Sequence, residues 1–221
     1  MLKIDLHVHT WYSDSTGSVK AVLEVARRKG LDGIAITDHD TLRGAYEALE
    51  RRGRLIVIPG EEVKTAQGEI LALGVKRLIP KNLSITEAIW RTHTQGGLVV
   101  IPHPTVPLLG RLREKNLKDL PIDGLEVFSA IAPLGGYFLK RNLELARRLR
   151  VSITAGSDSH FPETVGDAYT NVCSESPVLK DVLRAIKSGL TSLGGNRSRL
   201  VFKLRMVEGL FAHLPWDSST G

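Results

Sequence analysis

Short, nearly uninterrupted apolar runs recur along this chain, each followed by a longer amphipathic stretch, and this rhythm limits the folds open to it. The runs are Leu2–Val8, Gly33–Thr37, Leu55–Pro59, Leu98–Ile101, Gly124–Phe128 and Val151–Ala155. They are too short to cross a membrane, and although polar residues interrupt Leu2–Val8 and Val151–Ala155, Gly33–Thr37, Leu55–Pro59 and Leu98–Ile101 are near-continuous apolar runs, so the set reads as strands buried on both sides. Between them, Ser18 caps a helix through Lys29 that carries Val19, Val22, Leu23, Val25 and Ala26 on one side and stops at Gly30. Further helices are expected over about 41–51, from the Ser84 cap to about Gln95, over 137–149 and over 178–188. Glu62–Gly74 reads as a hairpin turning at Ala66-Gln67-Gly68, and Asn171–Cys173 as the last strand. Strands alternating with helices predict an α/β chain built on a mainly parallel sheet. One domain over 1–216 with a loose tail at 217–221 is expected.

Of the 221 residues, 42% are hydrophobic, which allows a substantial core, and no apolar run approaches the ~20 residues of a membrane-spanning helix. The N-terminus has neither the basic start nor the apolar stretch of a signal peptide, and the single cysteine, Cys173, excludes an internal disulfide framework. The expectation is a cytoplasmic protein with no membrane partner. A net charge of +6 invites an anionic partner, a phosphorylated metabolite or nucleic acid. The basic clusters Arg27-Arg28-Lys29, Arg51-Arg52 and Arg147-Arg148 fall at helix ends, however, where cations complement the helix dipole, so charge alone does not single out nucleic acid.

The histidines carry the functional signal. Of seven, five sit at the ends of expected strands: His7 and His9 after the first, then His39, His103 and His160. His93 lies in an expected helix and reads as structural, and His213 lies near the C-terminus. Acidic residues accompany the five: Asp5, Asp14, Asp38, Asp40, Glu61, Glu62 and Asp158. In a parallel barrel the carboxyl ends of the strands open onto one rim, where residues distant in sequence converge. His7-x-His9 and Asp158-x-His160 each place two ligands on the same side of an extended segment. Imidazole and carboxylate without thiolate suit Zn, Mn or Fe.

The segments His7-Val8-His9-Thr10 with Ser13-Asp14, Thr37-Asp38-His39-Asp40, Pro59-Gly60-Glu61-Glu62, Pro102-His103-Pro104 and Gly156-Ser157-Asp158-Ser159-His160 resemble, in order, the motifs of the polymerase and histidinol phosphatase (PHP) family. The resemblance runs from residue 5 to about 160. It implies a distorted (β/α)7 barrel, a cluster of two or three divalent metal ions at the C-terminal rim of the strands, and phosphoester hydrolysis. By motif, His7, His9 and Asp158 would hold one ion, Glu62 would bridge, Asp14, His39 and His160 would hold a second, and His103 with Glu62 would serve another position. Ser129-Ala130-Ile131 stands where some relatives have a further histidine, which leaves the His103 position short of ligands. Leu71 likewise replaces a histidine of many relatives.

A cluster of divalent ions acidifies water and clamps phosphoryl oxygens, so in-line attack on phosphorus by a hydroxide shared between ions is expected. Asp38 and His103 are the candidate catalytic residues. Asp38, with Asp40, would orient imidazole N–H groups, and His103 or a metal-bound water would donate the proton. Asp5 would either orient an imidazole or cap backbone amides. Arg43, Lys64 and Arg197 are candidate substrate-binding cations, with Arg199 beside the last of them. Trp11 and Tyr12 would stack on a base or simply pack. An apolar stripe over Leu200–Ala212 reads as a helix packed on the barrel or at a dimer contact. The leading expectation is a phosphatase or phosphodiesterase acting on a small phosphorylated molecule or nucleotide. The alternatives are a nuclease on single-stranded nucleic acid and a non-catalytic RNA-binding barrel similar to a ribonuclease P protein subunit. Oligomeric state is left open.

Overall fold

The structure, a computed structural model, describes residues 1–105, 112, 116–132 and 135–205. In chain order the elements are β1 (Leu2–Val8), α1 (Val19–Arg28), β2 (Gly33–Ile36), α2 (Arg43–Arg51), β3 (Ile56–Lys64), β4 (Glu69–Leu73) and α3 (Ile85–Thr94). They continue with β5 (Leu98–Ile101), β6 (Gly124–Ser129), α4 (Gly135–Leu149), β7 (Ser152–Gly156), β8 (Ala168–Val172), α5 (Leu179–Lys187) and β9 (Thr191–Gly195). The cap assignments hold: the Ser18 hydroxyl accepts from the Ala21 N–H and the Ser84 hydroxyl from the Glu87 N–H, both at 3.2 Å. Gly30 follows α1 with φ +70°, a conformation that side chains disfavour.

Among the described residues the nine strands form one sheet in the order β7-β6-β5-β4-β3-β2-β1-β8-β9. The α/β barrel character is as expected, but the mainly parallel sheet is not. Parallel pairing joins β1–β2, β2–β3, β5–β6 and β6–β7, and antiparallel pairing joins β3–β4, β4–β5, β1–β8 and β8–β9. The reversal begins at the hairpin, whose turn closes with Thr65 N–H on the Gly68 carbonyl at 2.8 Å; so short a connection can only join antiparallel strands. The last strand is not at Asn171–Cys173 either. That region belongs to β8, and the sheet ends with β9.

The sheet curls until β7 reaches β1, β8 and β9. Across this seam side-chain hydroxyls replace a backbone ladder. Thr170 Oγ1 both donates to the Ala155 carbonyl and accepts from the Ala155 N–H at 2.9 Å, and Thr191 Oγ1 donates to the Ile153 carbonyl at 2.8 Å. Just past β7, Asp158 N–H donates to the His7 carbonyl (2.8 Å) and His9 N–H to the Ser159 carbonyl (3.0 Å). The barrel is thus nearly closed, and the two metal-type motifs at its ends lie side by side.

Ile4, Leu6, Ala35, Ile58, Leu71, Leu73, Leu98 and Val100 fill the interior, and Val182, Leu183, Ala185 and Ile186 of α5 join the same apolar cluster. Strand residues on the outer faces, such as Ile34, Ile36 and Val57, pack with α1 and α2 residues that include Val22, Ala26, Ala45 and Ala48. Among the described residues no helix is long and apolar enough to cross a membrane. Helical turns cover 200–205, where Leu200, Val201 and Leu204 are exposed. The rest of the expected 200–212 stripe, His213 and the expected tail at 217–221 lie outside the described residues.

Candidate metal centre

The rim gathers side chains from five separate segments. His7 is the penultimate residue of β1, where the strand register shifts, and His9 lies just past its end; both are fully buried. Glu62 comes from β3, whose bridge to His39 brings the segment after β2 beside it. His103 follows β5, and Asp158 and His160 follow β7. Asp40, His103 and Asp158 have left-handed φ values of 52°, 30° and 53°. Such conformations cost energy in non-glycine residues and mark places where the surrounding fold overrides local preference.

Three groups of side chains each bring candidate ligand atoms within 4.8 Å of one another: His9, Asp14, His39 and His160; His7, His103 and Asp158; His7, His9 and Glu62. Glu62 Oε2 is central, 3.1 Å from His7 Nε2, 3.3 Å from His9 Nε2 and 3.5 Å from His39 Nδ1. Asp158 Oδ1 lies 3.5 Å from His7 Nε2 and 3.4 Å from His9 Nε2. Asp14 Oδ2 lies 3.1 Å from His160 Nε2 and 3.5 Å from His39 Nε2. His103 stands further off, 3.8 Å from both Glu62 Oε1 and Asp158 Oδ2. Ser129, the last residue of β6, has its hydroxyl 3.5 Å from Asp158 Oδ2.

The chemistry of this donor set fits divalent cations. His160 Nδ1 lies 2.9 Å from the Asp158 carbonyl, which can only accept, so Nδ1 carries a proton and Nε2, 3.1 Å from Asp14 Oδ2, is the nitrogen left for a metal ion or a second proton. His7 Nε2 and His9 Nε2 are 3.0 Å apart with two carboxylate oxygens beside them. Glu62 Oε1 and His103 Nδ1 are buried without a hydrogen-bond partner. Acceptors converging on acceptors need positive charge between them, and without a metal only protons supply it. Burial alone would raise the Glu62 and Asp158 carboxyls, yet the facing histidines outweigh it and hold both well below the ordinary range. Burial would likewise lower the His7 imidazole, but Asp158, Glu126 and Glu62 hold it well above its usual value.

Several expected supporting roles fall differently. Asp38 orients no imidazole: its carboxylate accepts from Thr10 N–H (2.6 Å), Thr10 Oγ1 (2.8 Å) and Ser13 Oγ (3.0 Å), so it secures the loop that carries Asp14. Gly44 lets this happen, because a Cβ there would lie 2.0 Å from Asp38 Oδ2. Asp40 accepts from the Lys64 N–H at 2.9 Å. Asp5 caps backbone amides, those of Ser157 (2.9 Å) and Gly166 (2.8 Å), and burial pushes its carboxyl up to about 6. Glu61, on the opposite face of β3 from Glu62, accepts from the Ile79 N–H at 2.7 Å and leaves Oε2 buried and unpartnered.

The candidate substrate cations come from three different segments of the chain. Arg43 stacks its guanidinium 4.7 Å from the Tyr12 ring centroid, Lys64 is exposed, and Arg197 is exposed next to Ser198, whose N–H bonds the Ala130 carbonyl after β6. Trp11 is exposed and meets Tyr12 edge-on, and Tyr12 donates to Glu47. Leu71 is buried in the barrel interior, and His93 pairs with Asp123 at 2.8 Å, apart from the cluster. Sequence reasoning missed Glu126. This buried carboxylate on β6 lies 3.1 Å from His7 Nδ1 and accepts from the His103 N–H at 3.1 Å. Its one signal was a lone acid inside an otherwise apolar strand, Gly-Leu-Glu-Val-Phe.

Comparison with known proteins agrees with this geometry. The family pattern described as the PHP domain matches residues 5–101, and one described as PHP-associated matches 136–191. An uncharacterized protein of Methanocaldococcus jannaschii, MJ1587, is 41% identical over 142 residues, covering 58% of this chain and 82% of that protein. The phosphoribosyl 1,2-cyclic phosphate 1,2-diphosphodiesterase of Eggerthella lenta is 39% identical over 84 residues, 34% of this chain and 32% of that one. Among solved structures, a Bacteroides vulgatus two-domain protein, described as containing a predicted PHP-like metal-dependent phosphoesterase, superposes with a TM-score of 0.76 at 19% identity. The match covers 88% of this chain and 65% of that chain.

Proposed function

The chain belongs to the PHP family of metal-dependent phosphoesterases, and on that premise we propose that it hydrolyses a small phosphorylated molecule or nucleotide at the barrel rim. The observation that carries this reading is the convergence of His7, His9, Glu62 and Asp158 with ligand atoms 3.0–3.5 Å apart, a buried set that needs metal ions or extra protons between its members. In this reading two divalent ions (Zn, Mn or Fe) are held, one by His7, His9 and Asp158 and one by Asp14, His39 and His160. Glu62, whose Oε2 faces His7, His9 and His39, would serve both ions. Divalent ions in these positions supply Lewis acidity toward water and phosphoryl oxygens.

The chain's own residues do the remaining work. Asp38 holds the Thr10–Ser13 turn and so fixes where Asp14 stands, and Asp5 ties the middle of β1 to Ser157, just before Asp158. His103, set back from the shared carboxylates, is placed to contact a phosphoryl oxygen or pass a proton to the leaving oxygen. Arg43, Lys64 and Arg197 give the mouth a positive rim suited to a phosphate ester. The related Eggerthella lenta enzyme, named for a cyclic phosphodiester, supports phosphate esters of small molecules as the substrate class.

The test is metal analysis of the purified protein with a hydrolysis panel. Substrates are p-nitrophenyl phosphate, nucleoside mono- and bisphosphates, a cyclic phosphodiester, histidinol phosphate and short oligonucleotides, each with added Mn and with chelator. Stoichiometric metal and chelator-sensitive hydrolysis of a small ester are expected, and His7→Ala and Asp158→Ala should lose both. Full hydrolysis in metal-depleted variants would refute the assignment, and cleavage of oligonucleotides alone would replace the small substrate with a nucleic acid.

A further inference from the structure

Glu126 is a carboxylate only 1% exposed in the middle of a strand whose neighbours are apolar, and no lysine or arginine pairs with it among the described residues. A buried charge persists only where strong donors surround it. Here the donors come from two different ligand-bearing segments. Oε1 lies 3.1 Å from His7 Nδ1, and Oε2 accepts from the backbone N–H of His103 at 3.1 Å. The space for this contact is made by Gly156, since a Cβ there would fall 2.8 Å from Glu126 Oε1 and 2.5 Å from His7 Cβ. Three strands and the loop after β5 therefore meet at one carboxylate.

Two consequences follow from elementary chemistry. An ionised carboxylate can only accept, so Nδ1 of His7 carries a proton, and in the neutral imidazole that metal ligation requires the lone pair falls on Nε2, the nitrogen facing Glu62 and Asp158. With the proton on Nε2 instead, His7 would donate to Glu62 Oε2 at 3.1 Å and satisfy the site with a hydrogen bond rather than a cation. The second contact bears on His103, whose φ of 30° is unfavourable for a residue with a Cβ. The bond from its N–H to Glu126 helps hold that conformation, and with it the direction of the ring.

From this geometry we infer that Glu126 is a positioning residue that couples two parts of the metal centre: it sets the tautomer of His7 for metal ligation and locks the His103 turn. The inference rests on the metal-centre reading above and extends it to a residue outside the ligand set. Glu126→Gln is the discriminating change. It keeps size and packing, but an amide offers one acceptor and one donor, so it cannot serve both N–H groups.

The experiment measures Zn affinity of wild type and Glu126→Gln by competition with a chelating dye. It also records the histidine ring N–H proton spectrum of the zinc-loaded proteins. Wild type should bind zinc with His7 coordinated through Nε2 and show a low-field Nδ1–H bonded to carboxylate. In Glu126→Gln that resonance should move upfield or vanish, and affinity at one position should fall about 10- to 100-fold, the range for lost carboxylate support of a histidine ligand. Unchanged affinity and spectrum in the variant, or wild-type His7 ligating through Nδ1, would overturn the role of Glu126 while leaving the metal centre intact. Failure of wild type to bind zinc or manganese at all would overturn the metal reading and this inference with it.

Discussion

Replacing Glu61 by glutamine should make the protein markedly less sensitive to alkali. Glu61 has no exposed surface, accepts one hydrogen bond, from the Ile79 N–H at 2.7 Å, and leaves Oε2 without a partner. Burial, with a smaller contribution from the charge of Asp40, pushes its carboxyl up to about 7 from the ordinary 4.5. A proton bound more tightly in the folded chain than in the unfolded one stabilises the fold fully below about 4.5, and this contribution is lost as pH rises through about 7. At 1.36 kcal/mol per pK unit the loss amounts to roughly 3 kcal/mol, of which about 2.5 kcal/mol falls between pH 5 and 8.5. Glutamine keeps the Ile79 acceptor and carries no charge to bury. Urea unfolding with chelator present, repeated across this range for wild type and Glu61→Gln, isolates the effect, because the histidine cluster titrates in both proteins. The variant should gain on wild type by about 2.5 kcal/mol from the acid to the alkaline end. A constant difference between the two would refute the reasoning, since it would mean that Glu61 titrates as an ordinary exposed carboxyl.

Gly156→Ala should destabilise the fold by about 1–3 kcal/mol, the usual cost of overpacking, because its Cβ would fall 2.5 Å from His7 Cβ and 2.9 Å from His7 N. Urea unfolding checks this, and a variant as stable as wild type would show that β1 and β7 can part at no cost. Asp38→Asn loses one acceptor among three donors on the loop that carries Asp14. Metal affinity should fall about 10- to 100-fold in a chelator competition, and unchanged affinity would show that Asp14 needs no such support.

The motifs at strand ends were legible because a strand's pleat is a local property. His7 and His9 stand two residues apart, and both reach Glu62 and Asp158 as that spacing suggests; Asp158, past the end of β7 with a φ of 53°, and His160 fall into different ligand groups, which spacing alone did not reveal. Glu126 was illegible for the opposite reason. Its partners lie at positions 7 and 103, and nothing within Gly-Leu-Glu-Val-Phe indicates that an imidazole and a strained turn wait across the barrel. Asp38 misled because proximity in sequence to His39 suggested an imidazole partner, whereas its acceptors are filled by Thr10 and Ser13 from the neighbouring strand's loop.

Hydrophobic periodicity, capping residues and the ordered motifs by themselves determined the helices, most of the strands, the family and the set of candidate ligands, because each depends on the chemistry of a few adjacent residues. The strand directions, the near-closure of the sheet and the sharing of Glu62 among His7, His9 and His39 were decided only by tertiary structure. Local sequence sets which side of a strand a residue occupies. Which strand lies beside it is settled by the packing of the whole chain, through the Thr170 and Thr191 seam and the apolar face of α5 in the barrel interior.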